Sequence, residues 1–186
     1  MSFIYDIKSK IGHFALKRYF LSQSRIPIVN NLDDAKSVGI IFDADTEKDF
    51  NLAYNYLKLI KEEFGIRNVR AFGYYSKKQD LPYLKRSINI DYFTQKELNW
   101  FNRPEGKFIN DFVKDKFEVL IDLSENNILP LQYVVAMSKA QFKIGRFADE
   151  NLPFYDMMVD VKGKSLSYFI EQVTTYLTLI NQKQTV

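Results

Sequence analysis

The residues of this chain best able to do chemistry are Asp43, Asp45, Asp122, Ser124, Glu125, Asn126 and Asn127. Asp43 and Asp45 close a short apolar run, residues 37–42 (SVGIIF), and Asp122 and Ser124 close a second, residues 117–123 (FEVLIDL). Both runs are too continuously apolar to be strands with one wet face, so each reads as a strand buried on both faces of a parallel sheet. If both are central and parallel, their carboxyl ends lie together. That edge is where open α/β sheets bind ligands. Carboxylates, a hydroxyl and two amides converging there would form a ligand-binding site. The competing role for the same residues is to cap helices and satisfy turn backbone.

Composition narrows what such a site can do. The chain has no Cys, so disulfides, thiolate nucleophiles and thiolate metal sites are excluded together. With His13 as the only histidine, a zinc site would need mainly carboxylates, and no metal or other cofactor is expected. Neither Gly-x-x-x-x-Gly-Lys nor Gly-x-Gly-x-x-Gly occurs. At 186 residues, 46% hydrophobic and 26% charged, the chain suits one globular domain. It has no apolar run long enough to span a bilayer and no signal-peptide core, which sets a cytoplasmic location as the expectation.

The elements that must position the site follow in order. Residues 1–35 read as a basic amphipathic helix and a linker, and residues 36–186 as a single α/β domain. In the helix, Phe3, Ile7, Ile11, Phe14 and Leu21 recur at helical spacings and are expected to face the domain. Lys8, Lys10, Lys17 and Arg18 form a candidate interaction arm for a protein or RNA partner or an anionic membrane surface, because residues 1–25 carry a net +4 in a chain of total +3. Thr46 with Asp49 starts a helix with face Phe50, Ala53, Tyr54, Leu57, Ile60 and Phe64, ended by Gly65. Strands are expected over 67–75, 87–93, 142–147 and 154–161, with a short helix or a turn over 94–102 and a helix over 104–112. Pro130 opens a helix after the Glu125-Asn126-Asn127 turn. Ser165 caps a last helix with buried face Leu166, Phe169, Ile170, Val173, Tyr176, Leu177 and Ile180, followed by a fraying tail over 181–186. Alternation of strands and helices predicts a Rossmann-like, mostly parallel sheet of five or six strands with helices on both faces. A cluster of aromatics, including Phe72, Tyr74, Tyr75, Phe93 and Trp100, sits near Lys77, Lys78, Lys85 and Arg86 and could stack on bases.

Three resemblances bear on function. Ile41-Phe42-Asp43-Ala44-Asp45-Thr46 resembles the first motif of haloacid-dehalogenase-type phosphotransferases, with Leu120-Ile121-Asp122-Leu123-Ser124 as the second. That likeness implies a carboxylate nucleophile, a lysine at Lys139 or Lys143, and magnesium held by Asp156 and Asp160. Where that family has a small residue and then a hydroxyl, this chain has Thr46 and Glu47. Residues 117–123 and Phe142-Lys143-Ile144-Gly145 are similar to the N-terminal Rossmann-like half of heptosyltransferase-type glycosyltransferases, which implies architecture without catalysis. Val38-Gly39-Ile40-Ile41-Phe42-Asp43, Leu120-Ile121-Asp122-Leu123-Ser124, Pro130-Leu131-Gln132-Tyr133 and Lys143-Ile144-Gly145 resemble an uncharacterised Bacteroidota family, a domain of unknown function. The expected role is a non-catalytic binding or scaffolding module. The alternative is a small magnesium-dependent phosphoryl-transfer enzyme using Asp43 and Asp45.

Overall fold

The computed structural model describes residues 2–22, 25–77 and 82–180, with side chains from Ile7 onward in the first helix. Expectations for the side chain of Phe3, for Lys78 and for residues 181–186 lie outside the described residues. The elements run α1 (Ser2–Leu21), β1 (Ser37–Asp43), α2 (Glu47–Glu63), β2 (Asn68–Tyr75), β3 (Ile90–Thr94), α3 (Lys107–Lys114), β4 (Val119–Asp122), α4 (Leu129–Met137), β5 (Phe142–Arg146), β6 (Met157–Val159) and α5 (Leu166–Leu179). The six strands form one sheet in the order β3-β2-β1-β4-β5-β6, and every neighbouring pair is parallel. The chain starts at the middle, winds outward to β3, then crosses back beside β1 and winds to β6. The reversal falls between β1 and β4, the two strands whose ends carry the candidate residues.

Alternation along the strands explains why they are apolar without a break. Val38, Ile40 and Phe42 of β1 pack with Val119 and Ile121 of β4 under α2 and α5. Ile41 and Leu120 point the other way, into a second core with Leu16 of α1, Phe112 of α3 and Val134 of α4. Each face therefore has its own core. Phe112 stacks on Phe72 at 4.8 Å and meets Phe117 at 5.0 Å. Side chains from Leu129 to Ala136 are all buried, as befits a helix apolar all round.

Helix ends follow their sequence signals. Thr46 caps α2 by accepting from the Asp49 N–H at 3.1 Å, and Gly65 follows its end with φ of 66°, the left-handed geometry that glycine adopts without strain. Ser165 caps α5 by accepting from the Tyr168 N–H. Other expectations need correction. In α2 Tyr56, and not Tyr54, joins the core, because its hydroxyl reaches Thr174 of α5 at 3.0 Å. In α5 Tyr176 is exposed, leaving Leu166, Phe169, Val173 and Leu177 as the buried stripe. The expected third strand begins later, at Ile90, because residues 88–89 form a turn closed by a bridge from Ser87 to Ile90. The last strand shrinks to three residues, with Phe154 in the core and Tyr155 committed to the site below.

The N-terminal helix departs furthest from expectation. Its inward face is Gly12 and Leu16, with Tyr19 and Phe20 packed partly against the same core, while Ile7, Ile11, Phe14 and Leu21 are exposed. The reason is a close approach: a Cβ on Gly12 would lie 2.5 Å from the Phe101 carbonyl oxygen and 2.7 Å from Leu129. The Tyr133 hydroxyl uses the same gap to donate to the Gly12 carbonyl at 2.7 Å. The linker is fastened down as well. Arg25 Nη2 donates to both oxygens of Asp156 at 2.6 Å and its Nη1 to the Gln141 carbonyl, the Ile28 N–H donates to the same carbonyl, and Asn30 reaches the Glu118 carbonyl.

Candidate functional site

The carboxyl edge of the sheet holds two cavities, of about 720 and 700 Å³, in the size range of small-ligand sites. The first lies over the ends of β4, β5 and β6 and collects Asp122, Ser124, Glu125, Asn126 and Asn127. The second lies between the start of α1 and the ends of β1 and β2, and takes in Asp45, Lys8, His13 and the exposed Trp100. Asn127 and Ile128 line both. The seven sequence-derived candidates are thus divided. Five share one cavity, Asp45 stands in the other, and Asp43 lines neither.

Asp122 is the centre of the first cavity. It closes β4, is 5% exposed, and accepts from the Ser124 N–H at 2.9 Å and the Tyr155 hydroxyl at 2.6 Å. Burial pushes its carboxyl above the usual carboxylate range, while Ser124, Tyr155 and the charge of Arg146 pull the other way. Burial likewise holds the Tyr155 phenol well above its ordinary range, so Tyr155 stays a hydrogen-bond donor. Tyr155 reaches Asp122 because Gly145 lets its ring lie on β5: a Cβ there would sit 2.5 Å from the ring. Gly145→Ala is expected to push Tyr155 off the strand and cost about 1 to 3 kcal/mol of stability, read by denaturant unfolding. An unchanged midpoint would show that the ring has room to shift.

Arg146 closes β5 beside Asp122. Its guanidinium lies over the Phe169 ring at 4.6 Å and reaches Glu125 at 3.5 Å. Gln132 Oε1 and Arg146 Nε are buried with no hydrogen-bond partner, while Ser124 Oγ lies beside the Asp122 carboxylate, whose charge it helps to hold, without meeting hydrogen-bond geometry; all three residues line this cavity. Among the described residues one other side-chain atom shares that condition, Arg103 Nε. A buried polar group left unpaired costs about 1 to 3 kcal/mol, and such groups gather around this one cavity. Gln132, Arg146 and Tyr155 were not among the sequence candidates.

The other candidates have structural work. Asp43 accepts from the Asp45 N–H at 3.0 Å, and partial burial raises its pKa. The Asp45 carboxylate takes the Ser76 N–H at 2.7 Å and also the Ser76 hydroxyl. The lysine and the second acidic pair of the phosphotransferase pattern are not brought to these aspartates. Lys143 is 2% exposed with Nζ bonded to the Val135 carbonyl at 2.6 Å. Lys139 precedes β5 at the opposite edge. Asp156 sits before β6, paired with Arg25, while Asp160 follows β6 and lines the first cavity. Among the described residues no three His, Cys, Asp or Glu side chains are placed to share a metal ion.

Of the proposed arm, Lys8 lines the second cavity, while Lys10, Lys17 and Arg18 are exposed. Of the aromatic cluster, Phe72, Tyr74, Tyr75 and Phe93 are buried and unavailable for base stacking, and Trp100 remains open.

Order, parallel strands and edge cavities together define a doubly wound, Rossmann-like α/β domain with its polar clefts beside the reversal in strand order. The chain belongs to a family of unknown function (DUF6913), whose model matches residues 8–180. No curated protein and no solved structure matches it. No helix of the described residues is long and apolar enough to cross a membrane.

Proposed function

We propose that the domain is a non-catalytic binding module that takes a small, hydroxyl-rich ligand in the cavity between Asp122 and Arg146. The observation that carries this reading is the pair of unpaired buried atoms on Gln132 and Arg146, with the Ser124 hydroxyl beside Asp122 on the same wall. Gln132 Oε1 requires a donor, Arg146 Nε an acceptor, and Ser124 Oγ serves as either. A hydroxyl group offers both halves of that exchange. Phosphate is disfavoured, because Asp122, Glu125, Asp149, Glu150 and Asp160 outnumber Arg146 and Lys162 on the walls. Binding is favoured over pure scaffolding because a scaffold gives no reason to keep unpaired polar atoms in a cavity. We place the module in the cytoplasm. The phosphoryl-transfer alternative has weaker support, since Asp45 is held by two hydrogen bonds from Ser76 and neither Lys139 nor Lys143 is brought to it.

The test is thermal unfolding against neutral sugars and polyols, with nucleotides and simple phosphate esters as controls. A ligand at 100 times its Kd should stabilise by about 2.7 kcal/mol and raise the Tm by roughly 5 to 10 °C. Gln132→Leu should abolish that shift while leaving the unliganded protein within about 2 kcal/mol of wild type, because it removes one unpaired acceptor and strands one partner atom on Asn151. A shift by phosphate esters alone, or magnesium-dependent ester hydrolysis lost in Asp43→Asn, would overturn the reading.

A further inference from the structure

The outward face of α1 is an apolar stripe that the fold does not use. Ile7 and Ile11 are each 39% exposed, Phe14 69% and Leu21 73%. At about 100° per residue, Leu16 on the buried side stands roughly half a turn round from Ile7. The stripe is therefore opposite the packed face. On the same wheel Lys10 and Lys17 border it and Arg18 falls between Ile7 and Ile11, all three exposed. No Asp or Glu occurs from Ile7 through Leu21. The helix thus has three functions by sector: a small-residue seat on α4, an apolar outer stripe, and cations along that stripe.

We infer that this outer face docks the protein on an anionic membrane surface, with α1 lying in the plane of the headgroups. Ile7, Ile11, Phe14 and Leu21 enter the acyl boundary, and Lys10, Lys17 and Arg18 meet acidic headgroups, the arrangement of an interfacial amphipathic helix. Charge decides among occupants. A second copy seated on the same face would bring these cations against their own counterparts in a two-fold contact. An RNA backbone would engage the cations and leave four large apolar side chains in water. An anionic lipid surface satisfies both. Since the inner face stays on α4, docking requires no detachment of the helix.

The experiment is co-sedimentation of the full chain with phosphatidylcholine vesicles, with and without phosphatidylglycerol, at low and high salt. Binding to the anionic vesicles should exceed binding to neutral ones by about tenfold or more and fall at high salt, as expected of three cations near the surface. Phe14→Glu with Leu21→Glu should abolish it while leaving the Tm unchanged, because both side chains are already in water. Lys10→Glu with Lys17→Glu should do the same. The inference is overturned if the wild type fails to pellet with anionic vesicles, or if Phe14→Glu with Leu21→Glu pellets as well as wild type. It is also overturned by a dimer in sedimentation velocity that Phe14→Glu disperses, or by tight RNA binding that Phe14→Glu leaves intact.

Discussion

Replacing Val173 with Asp should unfold the domain. Val173 has no exposed surface and sits mid-way along α5, between Phe169 and Leu177, in the core that α5 shares with α2 and the sheet. A carboxylate there would be set among the apolar side chains of that core. Burying an unpaired charge costs several kcal/mol, against a total of about 5 to 15 for a typical domain. Chemical denaturation should find no folded baseline, or one whose midpoint has collapsed. Tyr176→Asp is the control on the same helix. Its position is 46% exposed, and the charge should change stability by no more than about 0.5 kcal/mol beyond the lost ring contacts. If Val173→Asp melted like wild type, α5 would not be packed as described.

The second large effect belongs to Lys143 and is read in pH. Burial, reinforced by Arg25 and opposed by Asp156, lowers its pKa from 10.5 to about 7. An unfolded chain therefore holds a proton that the folded chain has released between about pH 7 and 10.5. The Lys143 contribution to stability rises with pH across that window, since the unfolded chain holds the proton that the folded chain has released. The slope approaches about 1.4 kcal/mol per pH unit, and the gain from pH 7 to 9 is roughly 2 kcal/mol. Lys143→Met is expected to lose this rise while keeping all other titrations in common. It also removes the donor to the Val135 carbonyl, an unpaired acceptor costing about 1 to 3 kcal/mol, so the diagnostic is the flattening of the profile and not its height. Parallel profiles for the two proteins would mean that Lys143 is charged in the fold.

The sequence carried the sheet more clearly than the site. Uninterrupted apolar runs such as Val38 to Phe42 can only be strands covered on both sides, and helices between them force parallel crossovers, so the architecture was legible. The boundaries were less so, because Phe117 and Leu123 are as buried as the strand they flank and bond to its neighbours, yet lie outside its bounds, Val119–Asp122. Spacing alone did not orient α1, since Ile7, Ile11 and Phe14 form a better stripe than Gly12 and Leu16, and close backbone approach won over side-chain size. Asp122 was found by reading the end of one strand. The same reading at the end of β5 would have added Arg146. Gln132 had a signal too, as the sole polar side chain of an otherwise apolar helix that must be buried all round. Tyr155 had none, because its reach depends on an open strand surface at Gly145 that only the packed structure reveals.

Strand order also has a consequence for how the chain assembles. With every neighbouring pair parallel, no two strands can close through a tight turn, and each pairing waits for a crossover. β1 is the extreme case. Val38 meets Val69 after one helix, but its other partner, Val119, arrives only after β2, β3 and α3 have passed. During synthesis or refolding, that flank of β1 is an open apolar edge able to template pairing with another chain. The loop-closure entropy of this late contact should make the β1–β4 docking step slow, and aggregation during refolding should rise with protein concentration until it is complete.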